Sequence, residues 1–268
     1  MYNFDRIVDR RGTSCLKYDF QVERRGRLVY KDGKYSIDFD DFEKKIVDEN
    51  VKLFILCSPY NPVGRVWTED ELRRMGEICF KHKIIVVSNE IHCDFTYEGH
   101  KHITFPSLGE EFEQNVILCT APSKTFNIAG IVTSYSIIPN AEIREKFYSF
   151  MEAGEFNAGT IFAYTATEAA YTYGAEWLQQ MRMYIMENVR FVEEFMKLHL
   201  PKIKVYQPQA SFLVWLDCRE LELSQDELVH LFKDKAGLAL NDGSIFGPGG
   251  FHVPSQIWLF LANRYHQN

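Results

Sequence analysis

The sequence predicts an α/β fold, a mainly parallel sheet with crossover helices followed by a smaller α+β unit. Three observations predict it. Short apolar, β-rich runs recur at 53–58, 84–88 and 116–120, each bounded by turn residues. A helix-period stretch lies between the first two, which gives the strand–helix–strand rhythm of parallel pairing. Beyond Pro201 the period changes to short strands around one further helix.

In chain order, residues 1–20 read as an arm broken at Gly12-Thr13, and 21–27 as a charged, solvent-facing stretch. Lys31-Asp32-Gly33-Lys34 signals a tight turn between two strand-like pieces. Asp38 is placed to cap a helix over 40–49. The strand 53–58 runs into Pro59-Tyr60-Asn61-Pro62-Val63-Gly64-Arg65. Thr68-Glu69-Asp70-Glu71 has capping-box spacing and opens a helix to about His82, with Leu72, Met75, Ile78 and Cys79 inward. The strand 84–88 ends in Asn89-Glu90-Ile91-His92, and 116–120 leads into Ala121-Pro122-Ser123-Lys124-Thr125-Phe126-Asn127. Residues 131–138 alternate as a strand, Pro139-Asn140 starts a helix through Met151, and the chain reads as helical again from Asn157 to Tyr173. A long helix over 175–200 stops at Pro201. Strands are expected at 203–206 and 211–216, and Ser224-Gln225-Asp226-Glu227 caps a helix to Ala236. Asn241-Asp242-Gly243 reads as a turn and Gly247-Pro248-Gly249-Gly250 as a loop. The division expected is an arm at 1–20, a large domain at 21–165, and a linking helix with a small domain at 166–268.

Composition narrows the function. The chain has 268 residues, 46% hydrophobic and 25% charged, which suits a soluble globular protein with a sizeable core. A net charge of −7 without a basic patch argues against nucleic acid. No apolar stretch reaches membrane-spanning length, and the N-terminus lacks a secretory pattern. There are six cysteines and no Cys-x-x-Cys. Cys57, Cys79, Cys93, Cys119 and Cys218 read as buried thiols of a reducing cytoplasm. His100 and His102 form a His-x-His pair, but with no third ligand nearby they read as a solvated loop, and no metal is expected.

The chemistry gathers at three strand ends. In open α/β sheets ligands bind beyond the carboxyl ends of the strands. A lysine there, between Ser123 and Thr125 and backed by Phe126, becomes a nucleophilic amine when partial desolvation disfavours its charge. A bare Ser-Lys-Thr also describes a solvated lysine, an Asn before Pro also forms turns, and Arg65 also serves to brace one. The three ends taken together are more telling. The ordered set Asn-Pro-x-Gly-Arg at 61–65, Asn-Glu-Ile-His at 89–92 and Ser-Lys-Thr-Phe-Asn at 123–127 resembles the fold-type I pyridoxal-phosphate enzymes of the class I/II aminotransferase superfamily. Within them it is most similar to the MalY/PatB-type cystathionine β-lyases. Phe4-Asp5, Val8-Asp9-Arg10, Gly12-Thr13 and Lys17-Tyr18-Asp19 are similar to that subfamily's N-terminus, and the resemblance extends to about Phe251.

The resemblance implies an incomplete PLP-transferase-like large domain and pyridoxal 5'-phosphate as cofactor. Lys124 would carry it as a Schiff base and serve as base at the substrate's α-carbon. Asn61 would donate to the cofactor's phenolic oxygen, with His92 where the superfamily has a Tyr near the same oxygen. Ser123 and Thr125 would help hold the phosphate or the lysine. The implied reaction is β-elimination from a small sulfur amino acid, cystathionine or a cysteine conjugate, to thiol, pyruvate and ammonia. An aminotransferase is the alternative, and an inactive, internally deleted remnant is another. A cytoplasmic homodimer is the family expectation. Four departures stand out. Asn89 replaces the Asp that pairs with the pyridine nitrogen, which predicts a loss on the order of several kcal/mol of barrier. Near Phe20 to Val22 a long block is missing, including the phosphate-binding helix N-terminus. Val253 stands where the family has its carboxylate-gripping Arg. Pro254 to Asn268 no longer resembles the family, and Arg264 is not an evident substitute for that Arg.

Overall fold

The computed structural model describes residues 28–31, 34–156, 159–243 and 256–260. The expectations for the arm, for Asp32-Gly33, for Gly247 to Gly250, and for Phe251, Val253 and Arg264 lie outside the described residues.

The chain opens with β1 (Leu28–Lys31) and β2 (Lys34–Ile37), paired antiparallel. Next comes α1 (Phe39–Asp48), capped as expected: the Asp38 carboxylate accepts from the Asp41 N–H. The main sheet follows from β3 (Leu53–Cys57), α2 (Glu69–Lys81), β4 (Ile85–Asn89), α3 (Glu110–Glu113) and β5 (Val116–Thr120). The strand β5 runs into the single turn α4 (Pro122–Thr125), and β6 (Tyr135–Ile137) closes the sheet. Its order is β3-β4-β5-β6, with the first three strands parallel and β6 antiparallel. One face is covered. There α2 lays Leu72, Met75, Ile78 and Cys79 against Leu56, Val86 and Val116, with Phe105 and Phe112 filling the remainder. Gly76 permits this close approach, since a Cβ there would fall 2.4 Å from the Phe112 ring.

Among the described residues the opposite face is only partly covered. Ile55, Val87 and Ile117 stand in register across β3, β4 and β5 on that side. Ile55 is 61% exposed.

Three helices follow: α5 (Ala141–Ala153), α6 (Ala163–Tyr173) and α7 (Ala175–His199). The second sheet holds β7 (Lys204–Tyr206), β8 (Leu213–Asp217), β9 (Asn241–Asp242) and β10 (Gln256–Phe260), in the order β7-β8-β10-β9 and antiparallel throughout. Between β8 and β9 lies α8 (Gln225–His230), started by the Ser224–Glu227 capping box. Ile185, Val189, Val214, Leu216, Leu228 and Phe232 form the core of this half. Phe95 and Tyr97, from the turn after β4, are buried in the same core, so the second half grips the edge of the first.

Several elements differ from their expected bounds. The strand expected at 131–138 shrinks to three residues, because Ala129–Ile131 make a turn and Val132 takes a left-handed backbone (φ 53°). The helix expected from Asn157 begins at Ala163. The helix after Ser224 widens into a π-turn at Leu231–Lys235. Asn241-Asp242, read as a turn, is a strand, because Trp258 and Ile257 of β10 supply its backbone partners.

Candidate active site

The ends of β3, β4 and β5 lie side by side because the strands are parallel neighbours. Backbone bonds continue past them: Ser58 N donates to Asn89 O at 3.0 Å, and Glu90 N to Cys119 O at 2.8 Å. The turn after β3 closes on itself, with Tyr60 N donating to Arg65 O and Gly64 N to Tyr60 O, both at 2.7 Å. Arg65 braces it, giving Nη2 to Glu71 Oε1 at 2.6 Å and lying over the Trp67 ring at 4.4 Å. Asn61 N donates to Cys57 Sγ at 3.4 Å, which ties the Asn61 backbone to the end of β3.

His92 is the centre of the arrangement. It is buried, with Nε2 3.4 Å from Asn61 Nδ2 and Nδ1 3.2 Å from Ser211 Oγ. Burial, and then the charge of nearby Lys124, lower its pKa to about 4, so the imidazole is neutral near pH 7. Lys124 sits half-buried in α4. The neighbouring Thr125 is fully buried and donates its hydroxyl to Asp94 Oδ2 at 2.7 Å, tying the lysine's turn to the turn after β4. Lys124, His92 and Asn61 thus come together from three strand ends.

Asn89 and Ser123 are at the same edge but bond locally. Asn89 Oδ1 accepts from Ile91 N at 3.3 Å, which leaves its amide N–H₂ to donate elsewhere. In register Asn89 lies between Cys57 and Cys119, on the face of the sheet that carries Ile55. The Ser123 carbonyl accepts from Ile128 N at 3.0 Å.

Sequence reasoning missed four residues. Glu90 is buried and accepts from Ser88 Oγ at 2.8 Å and Phe105 N at 2.9 Å, and its Oε2 lies 2.6 Å from His102 Nε2. His102 is therefore not in a solvated loop: its side chain is 9% exposed, because it partners a buried carboxylate. An acidic residue directly after an apolar strand was the one signal for this pair. Asp94 and Ser211 gave none, since their partners lie 31 and 119 residues away. Among the described residues there is no group of three or more His, Cys, Asp or Glu able to hold a metal ion, and no helix long and apolar enough to cross a membrane. The five described cysteines are free thiols.

Chains of the same architecture define the class. The structure superposes on a PLP-bound putative aminotransferase from Clostridium difficile 630 with a TM-score of 0.84 at 41% identity, covering 88% of this chain and 60% of that one. Cystalysin from Treponema denticola, which contains pyridoxal 5'-phosphate, gives 0.82 at 37% identity, covering 88% and 59%. The fold is thus the PLP-dependent aminotransferase-like α/β fold. The chain belongs to the aminotransferase class I and II family, whose model matches residues 3–256. Among curated relatives, cystathionine beta-lyase PatB of Bacillus subtilis is 44% identical over 235 residues, 85% of this chain and 61% of that protein. The chain therefore spans about three-fifths of the length of these relatives.

Proposed function

We propose that the chain is a pyridoxal-phosphate-dependent carbon–sulfur β-lyase, releasing thiol, pyruvate and ammonia from cystathionine or a cysteine conjugate. The observation that carries this is the meeting of Lys124, Asn61 and neutral His92 at one sheet edge. These residues fit the cofactor's reactive end. A half-buried primary amine suits its aldehyde, and an amide with an N–H to spare suits its phenolic oxygen.

When bound, the cofactor supplies an electron sink for charge at the substrate's α-carbon. The chain's residues do the rest. Lys124 Nζ is the covalent anchor and then the base that takes the α-proton. Asn61 Nδ2 would donate to the phenolic oxygen and favour its anion. His92, being neutral, adds no second positive charge beside Lys124. Thr125, bonded to Asp94, holds the lysine's turn, and Ser123 beside it would help hold the phosphate. Asn89 would offer the cofactor's pyridine nitrogen an amide where the family resemblance calls for a carboxylate. This last feature favours a second reading, a chain that binds cofactor without turnover, because an amide cannot hold the nitrogen protonated by charge. The reading carries with it a cytoplasmic homodimer, checked by fractionation and by mass from light scattering.

The test is direct. The chain is incubated with pyridoxal phosphate, reduced with borohydride and digested, and the label is mapped by mass spectrometry. A label on Lys124, absent from Lys124→Ala, together with pyruvate from cystathionine, supports the lyase. A label without pyruvate supports the silent chain, and amino transfer to an added keto acid supports an aminotransferase. A folded chain that takes no label overturns all three.

A further inference from the structure

Ser211 is held at every polar atom it owns. Its N–H donates to the Phe95 carbonyl at 3.0 Å, its carbonyl accepts from the Tyr97 hydroxyl, and its own hydroxyl lies 3.2 Å from His92 Nδ1. It is 1% exposed. Its φ is 74°, a left-handed backbone that suits glycine and that other residues adopt where their surroundings impose it. Glycine would sit here without strain, and what glycine lacks is the hydroxyl.

The segment before it is laced to both turns of the site. Gln209 N and Ala210 N donate to the Gly64 carbonyl at 2.8 and 2.9 Å, and Tyr97 N donates to the Gln209 carbonyl at 3.1 Å. Ser211 is thus fixed relative to the turn that carries Asn61 and the turn that carries His92.

A neutral imidazole has one proton for two nitrogens. Asn61 Nδ2 is a donor, so His92 Nε2 beside it accepts, and the proton belongs on Nδ1. We propose that Ser211 is a positioning residue of this site: by accepting from His92 Nδ1–H it selects the tautomer whose Nε2 accepts from Asn61, and so aims the second Asn61 N–H at the cofactor's phenolic oxygen. The purpose rests on the proposed cofactor; the tautomer does not. The opposing network reverses each bond. There Ser211 donates to Nδ1, and Nε2–H donates to an Asn61 amide turned end for end. Burial of His92 supports either neutral network over the imidazolium, which would expel the Asn61 N–H₂ altogether.

Long-range proton–nitrogen correlation on the full chain, labelled with ¹⁵N-histidine, reads the tautomer without cofactor. His92 is assigned by its absence from His92→Gln. The expected result is a protonated-type Nδ1 and a bare-type Nε2. In both Ser211→Ala and Ser211→Gly the preference for Nδ1–H is expected to be lost, and the dissociation constant for pyridoxal phosphate to rise about tenfold. The glycine variant separates the roles of backbone and hydroxyl, because glycine suits the backbone and lacks the hydroxyl. An Nε2–H tautomer in the unsubstituted chain overturns the proposal. So does a Ser211→Gly variant that keeps Nδ1–H, or one that binds cofactor as tightly as the unsubstituted chain. If the unsubstituted chain binds no pyridoxal phosphate, the functional reading falls, and the nitrogen shifts still decide whether Ser211 sets the tautomer.

Discussion

Asn89 is where one residue decides the most chemistry. Its backbone still carries the edge of β4 and its amide still has N–H groups to donate, so the fold tolerates the substitution. On the proposed function, what the amide lacks is the negative charge that would stand beside the cofactor's pyridine nitrogen. Asn89→Asp is expected to raise the β-elimination rate by about 10²–10³-fold, in line with adding one preorganised stabiliser of developing charge. Steady-state pyruvate release checks it, and an unchanged rate would mean that residue 89 does not face the ring nitrogen. His92 gives a second prediction, on stability. Its folded pKa is lowered from 6.5 to about 4. Above pH 6.5 both folded and unfolded forms are neutral, and its contribution is fully present. As pH falls from about 6.5 to 4 the unfolded chain takes up a proton that the folded chain refuses, so stability is lost, by about 3 kcal/mol in all. Urea titrations between pH 7 and 4 are expected to show a shallower loss in His92→Gln than in the unsubstituted chain.

Among the elements, α2 joins fold to site through one side chain. Glu71 Oε2 closes the capping box with the Thr68 backbone N–H and hydroxyl at 3.0 and 3.1 Å, while Oε1 takes Arg65. Arg65 and Glu71 side chains are 12% and 18% exposed. Thr68→Ala removes only the cap and is expected to cost about 1 kcal/mol. Glu71→Ala also strands a desolvated guanidinium and is expected to cost about 2–4 kcal/mol. Chemical denaturation of both variants tests the ordering. Gly64 is the other hinge of this turn. It has φ 75°, and a Cβ there would fall 2.5 Å from the Ala210 carbonyl oxygen. Gly64→Ala is expected to destabilise by about 2–4 kcal/mol and to loosen the 209–211 segment. The elements that were legible in the sequence are those whose signals are local. Asp38, Thr68 and Ser224 mark helix starts because a cap is written within four residues. The strand β9 was not legible, because its partner β10 lies beyond a glycine-rich stretch and only pairing makes a strand of it.

Across the whole molecule the same distinction governs the site. Lys124, Asn61 and His92 were legible because each follows an apolar run, and parallel neighbours bring such ends to one edge. Ser211, Asp94 and the Glu90–His102 pair were not, because their contacts are made by tertiary packing that no local pattern encodes. The sheet itself poses the remaining question. Strands of a parallel sheet are ordinarily covered on both faces. Here Val87 and Ile117 are partly exposed in the row with Ile55, which is 61% exposed. Asn89 is two residues along β4 from Val87 and on the same face, so whatever shields this row also borders the site. An uncovered apolar row of this kind is an association hazard. Ile55→Thr keeps a β-branched residue in the strand and removes part of that apolar surface. It is expected to lower concentration-dependent light scattering while changing unfolding stability by less than about 0.5 kcal/mol, as at other exposed positions. A loss of about 2 kcal/mol or more would give the opposite answer, because only a side chain buried in solution costs that much to truncate. The face would then be covered, and its cover would be the next element of the site to find.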